Sequence, residues 1–554
     1  MIQNDRIKFC LLVWSAMTNR IKLQLQYINF IKSIFGIVLL IMLSVLITKN
    51  INTYTDVTLY DETFYLYNGL QIDSKGLPDA NLSPLYSLWY RLVSTIQGNT
   101  LELYYLSMGI LSCLIGISVF ILLSTLDISF VMSITFAIMS LITSANIPTF
   151  PKVYHLVVVI VLLTMSMVYK IKNIYIKSIL ILNCIFIISY IRPEFFLFFL
   201  LFLVIGICTI IFILIYRKRI EDYVAVCLFL LFVIVVMVIL GMPTIIDRQN
   251  RTLLAFGQHL AVNWTQWNNS SVNPWTEWEG IYYEVFGQYR KLFFINNPIA
   301  FGCHILSNIK AYPNVVCTVF SFITIDSYEL YFLYIGSSIL IITSIVSSLI
   351  FINKYKSSFC SKGTFYIFIV GGLFAIVPIV ETIVIFPRDH YFVVTIFLWI
   401  ISFAFIFDHI LNKKTKLVCL IIIIIIYGLT ITELNSGNYF EQNIGNLNTI
   451  RFIRELNIHE NVNILERGGG IWVYLGDNYH GVERKLKDTG FHDFIGYQGI
   501  TMIIASTDLR NDHRFSEDPE WIDFYKNPEN WNFRKMEIPQ TPNILFVHSA
   551  LMGS

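Results

Sequence analysis

The sequence predicts a polytopic α-helical membrane protein that ends in an extracytoplasmic α/β domain. Three observations predict this fold class. The 554-residue chain is 56% hydrophobic and 14% charged, with a mean hydropathy of +0.64, whereas soluble domains are about 45–50% apolar and about 25% charged. Many apolar runs are long enough to cross a hydrocarbon core of about 30 Å. After residue 432 the hydropathy falls, and helix-like and strand-like segments alternate to the end.

About eleven apolar runs have the length of membrane helices. They lie near residues 28–48, 101–123, 128–146, 153–169, 178–191, 195–216, 223–246, 331–352, 364–386, 391–411 and 417–432. The chain therefore divides into a cytoplasmic lead-in (1–27), a transmembrane domain (28–432) with outer loops at 49–100 and 247–330, and a C-terminal domain (433–554).

The distribution of lysine and arginine predicts the orientation. With the N-terminus inside, four short cytoplasmic loops hold twelve cations, and the short outer connections hold three, namely Lys152, Arg192 and Arg388. Cations in short loops stay on the cytoplasmic side. We therefore expect a multi-pass plasma-membrane protein whose long loops and C-terminal domain are extracytoplasmic.

Charge and cysteine content exclude several classes of protein. The net charge is only +2 and the cations are scattered, so we expect no nucleic-acid partner. None of the nine cysteines forms a C-x-x-C pair, which excludes a zinc framework. The glycine triplet in "ERGGGIWVYLGD" lacks the G-x-G-x-x-G order of a dinucleotide loop and predicts a turn.

The loop at 49–100 is too long for a plain connector and carries an acidic pair, Asp61 and Glu62. "ETFYLYNGLQ" and "PDANLSPLYSLWYRLVSTI" have helical periodicity, and their tyrosines, Tyr60 among them, suit helices at a membrane interface. The second outer loop has four tryptophans between Trp264 and Trp278, which predict an aromatic belt or a groove for lipid or sugar.

The C-terminal segments predict a small α/β layer. "NTIRFIRELN" is helical, and "NVNILE", "GITMIIAS" and "NILFVHS" are strand-like. "DPEWIDFYKNPENW" opens with an aspartate that suits a helix N-cap.

The three outer cations lie in polar motifs at the ends of spans: "FPKVYHL", "YIRPEFF" and "FPRDHYF". Ionisable groups in such positions are expensive in lipid and often functional. If the spans bundle, carboxylates and cations meet in one cavity, which suits sugar transfer from a lipid phosphate. A carboxylate can take the proton of an acceptor hydroxyl, and arginine binds phosphate oxygens in pairs.

These motifs resemble the GT-C superfamily of integral-membrane glycosyltransferases, in particular its protein mannosyltransferase and aminoarabinose transferase branch. "YDETFYLYNGL" with "SPLYSLWYRLVS" is similar to its first outer loop, "IRPEFFLFF" to its Arg-Pro-acidic segment, and "FPRDHYFVV" to a late Pro-Arg-Tyr segment, here with Asp389 and His390 inserted.

The resemblance implies a GT-C-like fold and an inverting transfer from a polyprenyl-phosphate-linked sugar to a glycan, lipid or protein acceptor. It implies that Asp61 is the catalytic base and Glu62 its helper or an ion ligand. It also implies that the outer arginines Arg192 and Arg388 bind the donor phosphate; the third outer cation, Lys152, is a candidate for the same role from its position in the sequence. Further candidates for the cavity are His155, His390, Tyr391, Glu194 and Tyr60.

Other interpretations remain open at this point. The acidic pair also suits a helix N-terminus, the arginines could reach for lipid headgroups, and the histidines could be structural. A divalent cation at Asp61 and Glu62 is an alternative to a metal-free base. A surface-polysaccharide polymerase or ligase would use the same donor chemistry, and a lipid-linked substrate transporter or flippase would also place charges in a helical bundle.

Overall fold

The computed structural model describes the chain in several stretches. They are residues 27–28, 30–212, 215, 220–243, 251–287, 293–320, 362–435, 445–467, 469–482, 485 and 489–552. The predicted lead-in at 1–27 lies almost entirely outside the described residues, and so does the predicted span at 331–352.

The first half of the chain is helical. Its helices are α1 (Phe30–Thr48), α2 (Ile51–Tyr54), α3 (Asp61–Leu70), α4 (Ile72–Lys75), α5 (Pro84–Ser94), α6 (Thr100–Thr125), α7 (Phe130–Ile142), α8 (Val153–Lys170), α9 (Ile174–Ser189), α10 (Glu194–Phe212) and α11 (Ile220–Leu240).

The second half continues with helices and ends in the mixed domain. Its helices are α12 (Arg251–Trp267), α13 (Pro274–Phe286), α14 (Phe293–Asn296), α15 (Pro298–Phe320), α16 (Lys362–Val384), α17 (Asp389–Ile410), α18 (Lys413–Asn435), α19 (Gly445–Glu455), α20 (Phe491–Gln498), α21 (Thr507–Arg510), α22 (His513–Ser516) and α23 (Pro519–Lys526). The strands are β1 (Val462–Leu465), β2 (Tyr479–Gly481), β3 (Met502–Ala505), β4 (Phe533–Glu537) and β5 (Ile544–His548).

Among the described residues, seven helices contain a segment long and apolar enough to cross a membrane: α1, α6, α8, α11, α16, α17 and α18. Three shorter apolar helices, α7, α9 and the first part of α10, coincide with further predicted spans. The predicted polytopic helical membrane architecture is confirmed at this level.

Helix α17 lies at the centre of the bundle. In its most apolar stretch of 18 residues, 83% is buried inside the protein. In the corresponding stretches of α11 and α18 only 17% is buried, so most of their apolar side chains lie on the outer surface of the bundle. Helices α6 and α7 approach closely at Gly116, where a Cβ atom would lie 2.6 Å from Leu141 Cδ2. Small residues commonly allow such contacts between membrane helices.

The loop at 49–100 forms helices α2 to α5, and α3 and α5 each bury one side against the rest of the protein. Pro84 opens α5 at a position where its missing N–H costs nothing. Tyr65, Tyr86 and Tyr90 are buried, with at most 4% of their surface exposed. Our expectation that the tyrosines of this loop mark a membrane boundary is therefore wrong for these three, because they pack against the rest of the protein.

The C-terminal domain (445–552) holds a five-stranded sheet in the order β2-β1-β3-β5-β4. Strands β2, β1 and β3 are parallel, and β5 is antiparallel to β3 and to β4. The predicted strands correspond to β1, β3 and β5, and Asp518 caps α23 by accepting the N–H of Glu520. Strand β2 has only 3 residues, and most side chains of β4 are exposed. Neither strand therefore has the apolar run from which a strand is predicted.

This domain docks on the connection between α2 and α3. The Asp56 carboxylate accepts the backbone N–H groups of Asn446 and Leu447 at 3.0 and 2.8 Å, at the start of α19. Tyr60 donates its backbone N–H to the carbonyl of Gly469 at 2.9 Å. We call the end of the bundle that carries α2 to α5 and the C-terminal domain the loop end.

Candidate functional site

The acidic pair lies at the start of α3. Asp61 is the first residue of that helix and its side chain is exposed. Within the described part of the chain, no hydrogen bond or ion pair involves its carboxylate. The positive end of the helix dipole favours an ionised group there. Asp61 is therefore a free carboxylate at the loop end that a substrate can reach.

Glu62 is in the opposite environment, because successive side chains of a helix point in different directions. It is fully buried. Its Oε1 accepts the hydroxyls of Tyr86 and Tyr90 at 2.6 and 2.5 Å, and its Oε2 accepts the backbone N–H of Lys152 at 2.8 Å. Burial raises the pKa of Glu62, and these three donors act against the rise. The structure places Glu62 where it anchors α3 to α5 and α8, out of reach of a substrate.

Lys152 belongs to the same buried network. Its ammonium donates to the backbone carbonyls of Asn146 and of Ile147, the latter at 2.7 Å. Burial lowers the pKa of Lys152 well below its usual value, although Glu62 acts to raise it. The neighbouring His155 directs Nε2 at the carbonyl of Ala145 at 2.9 Å and is also fully buried. A donor phosphate would have to displace these carbonyls to reach the ammonium.

We therefore expect Lys152→Met to reduce the stability of the protein and not its affinity for a donor. The buried carbonyl of Ile147 loses its donor, and that of Asn146 keeps only its contact with His155 Nε2. An unsatisfied buried group costs about 1–3 kcal/mol. We expect a lower thermal unfolding midpoint of the purified protein in detergent and an unchanged apparent affinity for a lipid-phosphate donor. A weakened donor affinity at an unchanged midpoint would instead make Lys152 a phosphate ligand.

Arg192 lies between α9 and α10 and is neutralised by two acids. Its Nη2 donates to Glu194 Oε1 at 2.7 Å and to Glu381 Oε1 at 3.1 Å. Its guanidinium lies 4.5 Å from the ring centre of Tyr154, whose hydroxyl donates to the second oxygen of Glu381. Arg192 and Glu381 are buried. This cluster holds α8, α10 and α16 together at the loop end.

Arg388 differs from Arg192 because, within the described part of the chain, no carboxylate pairs with it. It precedes α17, is half-buried, and lies 5.5 Å from the ring centre of the exposed Trp275. Its neighbour His259 is buried and stacks on Phe386 at 4.8 Å. Burial, with Arg388 and His304, lowers the pKa of His259 to about 3. A neutral imidazole therefore lies beside an unneutralised guanidinium.

His390 and Tyr391 lie between the two arginines. Both are buried, and the Tyr391 ring centre is 5.9 Å from that of Tyr154. His390 interacts electrostatically with both Arg192 and Arg388. The motifs "YIRPEFF" and "FPRDHYF", almost 200 residues apart in the chain, thus meet at one place.

One residue of α3 lies near the same place. Tyr65 follows Asp61 by four residues, so the two share a face of α3. Tyr65 is close enough to interact electrostatically with Arg192. Asp61 thus lies one helical turn before a neighbour of Arg192, whereas Glu62, Lys152 and His155 form a separate buried network.

Tyr60 occupies an unusual position next to the acid. Its φ angle is +64°, and its exposed side chain donates through the hydroxyl to the carbonyl of Arg467 at 2.9 Å. The C-terminal domain, which follows Tyr60 by some 400 residues, therefore touches the candidate site directly.

Glu381 lies near the outer end of a predicted span, and an acid in such a place is itself a signal for a polar cavity, although the sequence did not assign it to the site. Tyr86 and Tyr90 carried no signal, because interface and buried tyrosines look alike in sequence. Among the described residues, no three His, Cys, Asp or Glu side chains are placed to hold a metal ion. The divalent cation therefore stays a prediction.

No protein-family model matches the chain, and a comparison with curated proteins finds no match either.

Proposed function

We propose that the protein is a membrane glycosyltransferase of GT-C type that moves a sugar from a polyprenyl-phosphate donor to an extracytoplasmic acceptor. One observation carries the proposal. Asp61, an exposed carboxylate without a hydrogen bond or ion pair among the described residues, starts the helix α3 whose Tyr65 neighbours the buried Arg192, beside apolar spans that suit a lipid-anchored substrate.

In the proposed reaction Asp61 takes the proton of an acceptor hydroxyl. The acceptor oxygen attacks the anomeric carbon of the sugar, and the bond from that carbon to the phosphate oxygen breaks with inversion. The electron pair of the broken bond leaves with the polyprenyl phosphate. General-base assistance of this kind contributes about 10²–10⁴-fold in rate.

Arg388 is the best-placed cation for the departing phosphate. A donor phosphate adds negative charge as it leaves, and a fixed cation stabilises that charge. Arg192 already compensates two carboxylates, whereas Arg388 has none among the described residues. Trp275 beside it is an apolar surface with one polar tip, which suits the boundary between a lipid headgroup and its chain.

Arg388→Ala should weaken donor binding. Hydrogen bonds to charged groups contribute about 1.5–3 kcal/mol, and about 1.4 kcal/mol corresponds to tenfold in affinity, so we expect the donor KM to rise about 10- to 100-fold. Arg91→Ala is the matched control, since Arg91 also lies at the loop end but pairs with the exposed Asp73. An equal loss in both variants, or an unchanged donor KM in Arg388→Ala, would contradict the assignment.

The reaction itself is tested by product analysis. The purified protein in proteoliposomes receives a panel of undecaprenyl-phosphate-linked sugars together with a membrane glycan and lipid extract, and lipids are resolved by mass spectrometry. We expect release of free undecaprenyl phosphate that depends on Asp61. Movement of the intact lipid-linked sugar across the bilayer without release would identify a transporter or flippase and overturn the proposal.

A further inference from the structure

The loop after β1 of the C-terminal domain lies directly against the start of α3. The carbonyl of Gly469 accepts the backbone N–H of Tyr60 at 2.9 Å, and the carbonyl of Arg467 accepts the Tyr60 hydroxyl at 2.9 Å. One turn further into α3, the Thr63 hydroxyl is 3.0 Å from that of the buried Tyr474. Three hydrogen bonds thus join this loop, and the segment that follows it, to Tyr60 and Thr63, which lie on either side of Asp61 in the chain.

The contact requires glycine at two positions. Gly469 and Gly470 have φ angles of +83° and +107°, which L side chains rarely adopt. A Cβ atom at Gly469 would lie 2.8 Å from the Tyr60 nitrogen, and one at Gly470 would lie 2.7 Å from Thr63 Cγ2. The glycines allow two backbones from distant parts of the chain to approach.

The loop itself is held from within its own domain. Arg467 forms an ion pair with Asp512, which is buried and also binds Arg514. The N–H of Gly470 donates to Glu466 Oε1 at 3.1 Å. Glu466 and Arg467 follow β1 directly and Asp512 lies between α21 and α22, so contacts within the C-terminal domain hold the loop that touches α3.

Tyr60 needs this support because its own backbone conformation is unfavourable. A bulky residue with a positive φ angle is rare and persists only where its surroundings impose it. Tyr60 is the residue before Asp61, so its φ and ψ angles set the direction in which α3 starts and in which the Asp61 side chain points.

We infer that Gly469 is a positioning residue for Asp61 and that the C-terminal domain is a working part of the catalytic site, because its loop holds Tyr60 in the conformation that aims the carboxylate. This inference rests on the proposed transferase function. It gives the glycine triplet a role in positioning Asp61, whereas the sequence predicted only a turn there.

The test compares two glycines of the same domain in the full-length protein. Gly469→Ala introduces a Cβ atom against Tyr60, whereas Gly476→Ala places one at a position that also has a positive φ angle, +135°, but where the nearest atom is Asn478 Oδ1 at 3.4 Å. Misplacement of a reacting group by about 1 Å costs about 100-fold in rate. We expect Gly469→Ala to lower kcat at least about tenfold with the donor KM unchanged, and Gly476→Ala to retain the kcat of the wild type.

A milder variant covers the case in which Gly469→Ala does not fold. Tyr60→Phe removes the hydroxyl that donates to the Arg467 carbonyl, and we expect kcat about threefold lower, again with the donor KM unchanged. Wild-type kcat in whichever of these variants folds, or the same loss in Gly476→Ala, would overturn the inference. Failure of the wild-type protein to release polyprenyl phosphate would overturn the proposed function instead, so the two failures are distinguishable.

Discussion

Asp61→Asn is expected to lower the rate of sugar transfer by about 10²–10⁴-fold and to leave the thermal unfolding midpoint unchanged. The amide keeps the size of the side chain but cannot take a proton from the acceptor hydroxyl. Stability should not change, because the Asp61 side chain is exposed and has no partner among the described residues. The rate is measured as released polyprenyl phosphate and the midpoint on the same purified sample in detergent.

Glu102→Gln is the matched control for this substitution. Glu102 is also an exposed acid in the first turn of a helix, α6, that starts at the loop end. It shares with Asp61 the favourable helix dipole but not the position one helical turn before a neighbour of Arg192. Equal rates for Asp61→Asn and wild type, or equal losses in Asp61→Asn and Glu102→Gln, would remove Asp61 as the base.

Glu62→Ala is expected to have the opposite effect, a large loss of stability. The substitution leaves the hydroxyls of Tyr86 and Tyr90 and the N–H of Lys152 without their acceptor inside the protein. Each unsatisfied buried donor costs about 1–3 kcal/mol, so we expect a destabilisation of at least about 3 kcal/mol. The measurement is the thermal midpoint in detergent, together with the yield of folded protein.

Glu62→Gln provides the graded comparison. Its carbonyl oxygen can still accept both tyrosine hydroxyls, but its NH₂ group then faces the N–H of Lys152, so one donor pair remains unsatisfied. We expect a loss of about 1–3 kcal/mol, smaller than in Glu62→Ala. A stable Glu62→Ala protein that has lost transfer would instead show that Glu62 acts in the reaction, as the resemblance to the GT-C superfamily implies.

The sequence by itself determined many, though not all, of the elements of this protein. Hydrophobic runs predicted the spans, since a helix of about 20 apolar residues is required by the thickness of the bilayer. The N-terminal position of Asp61, the helix start at Pro84 and the strands β1, β3 and β5 follow from local pattern in the same way. Each of these features depends on residues close together in the chain.

Only the tertiary structure decided the environment of each side chain at the site. Asp61 and Glu62 are neighbours in sequence, yet Glu62 is buried by Tyr86, Tyr90 and Lys152 while Asp61 stays exposed. The hydrogen-bond partners of Glu62 are 24 to 90 positions away in the chain. Tyr60 and Gly469, which are also hydrogen-bonded, are more than 400 positions apart. No local periodicity carries that information, because the free energy of a charged or polar group is set by what the folded chain places around it.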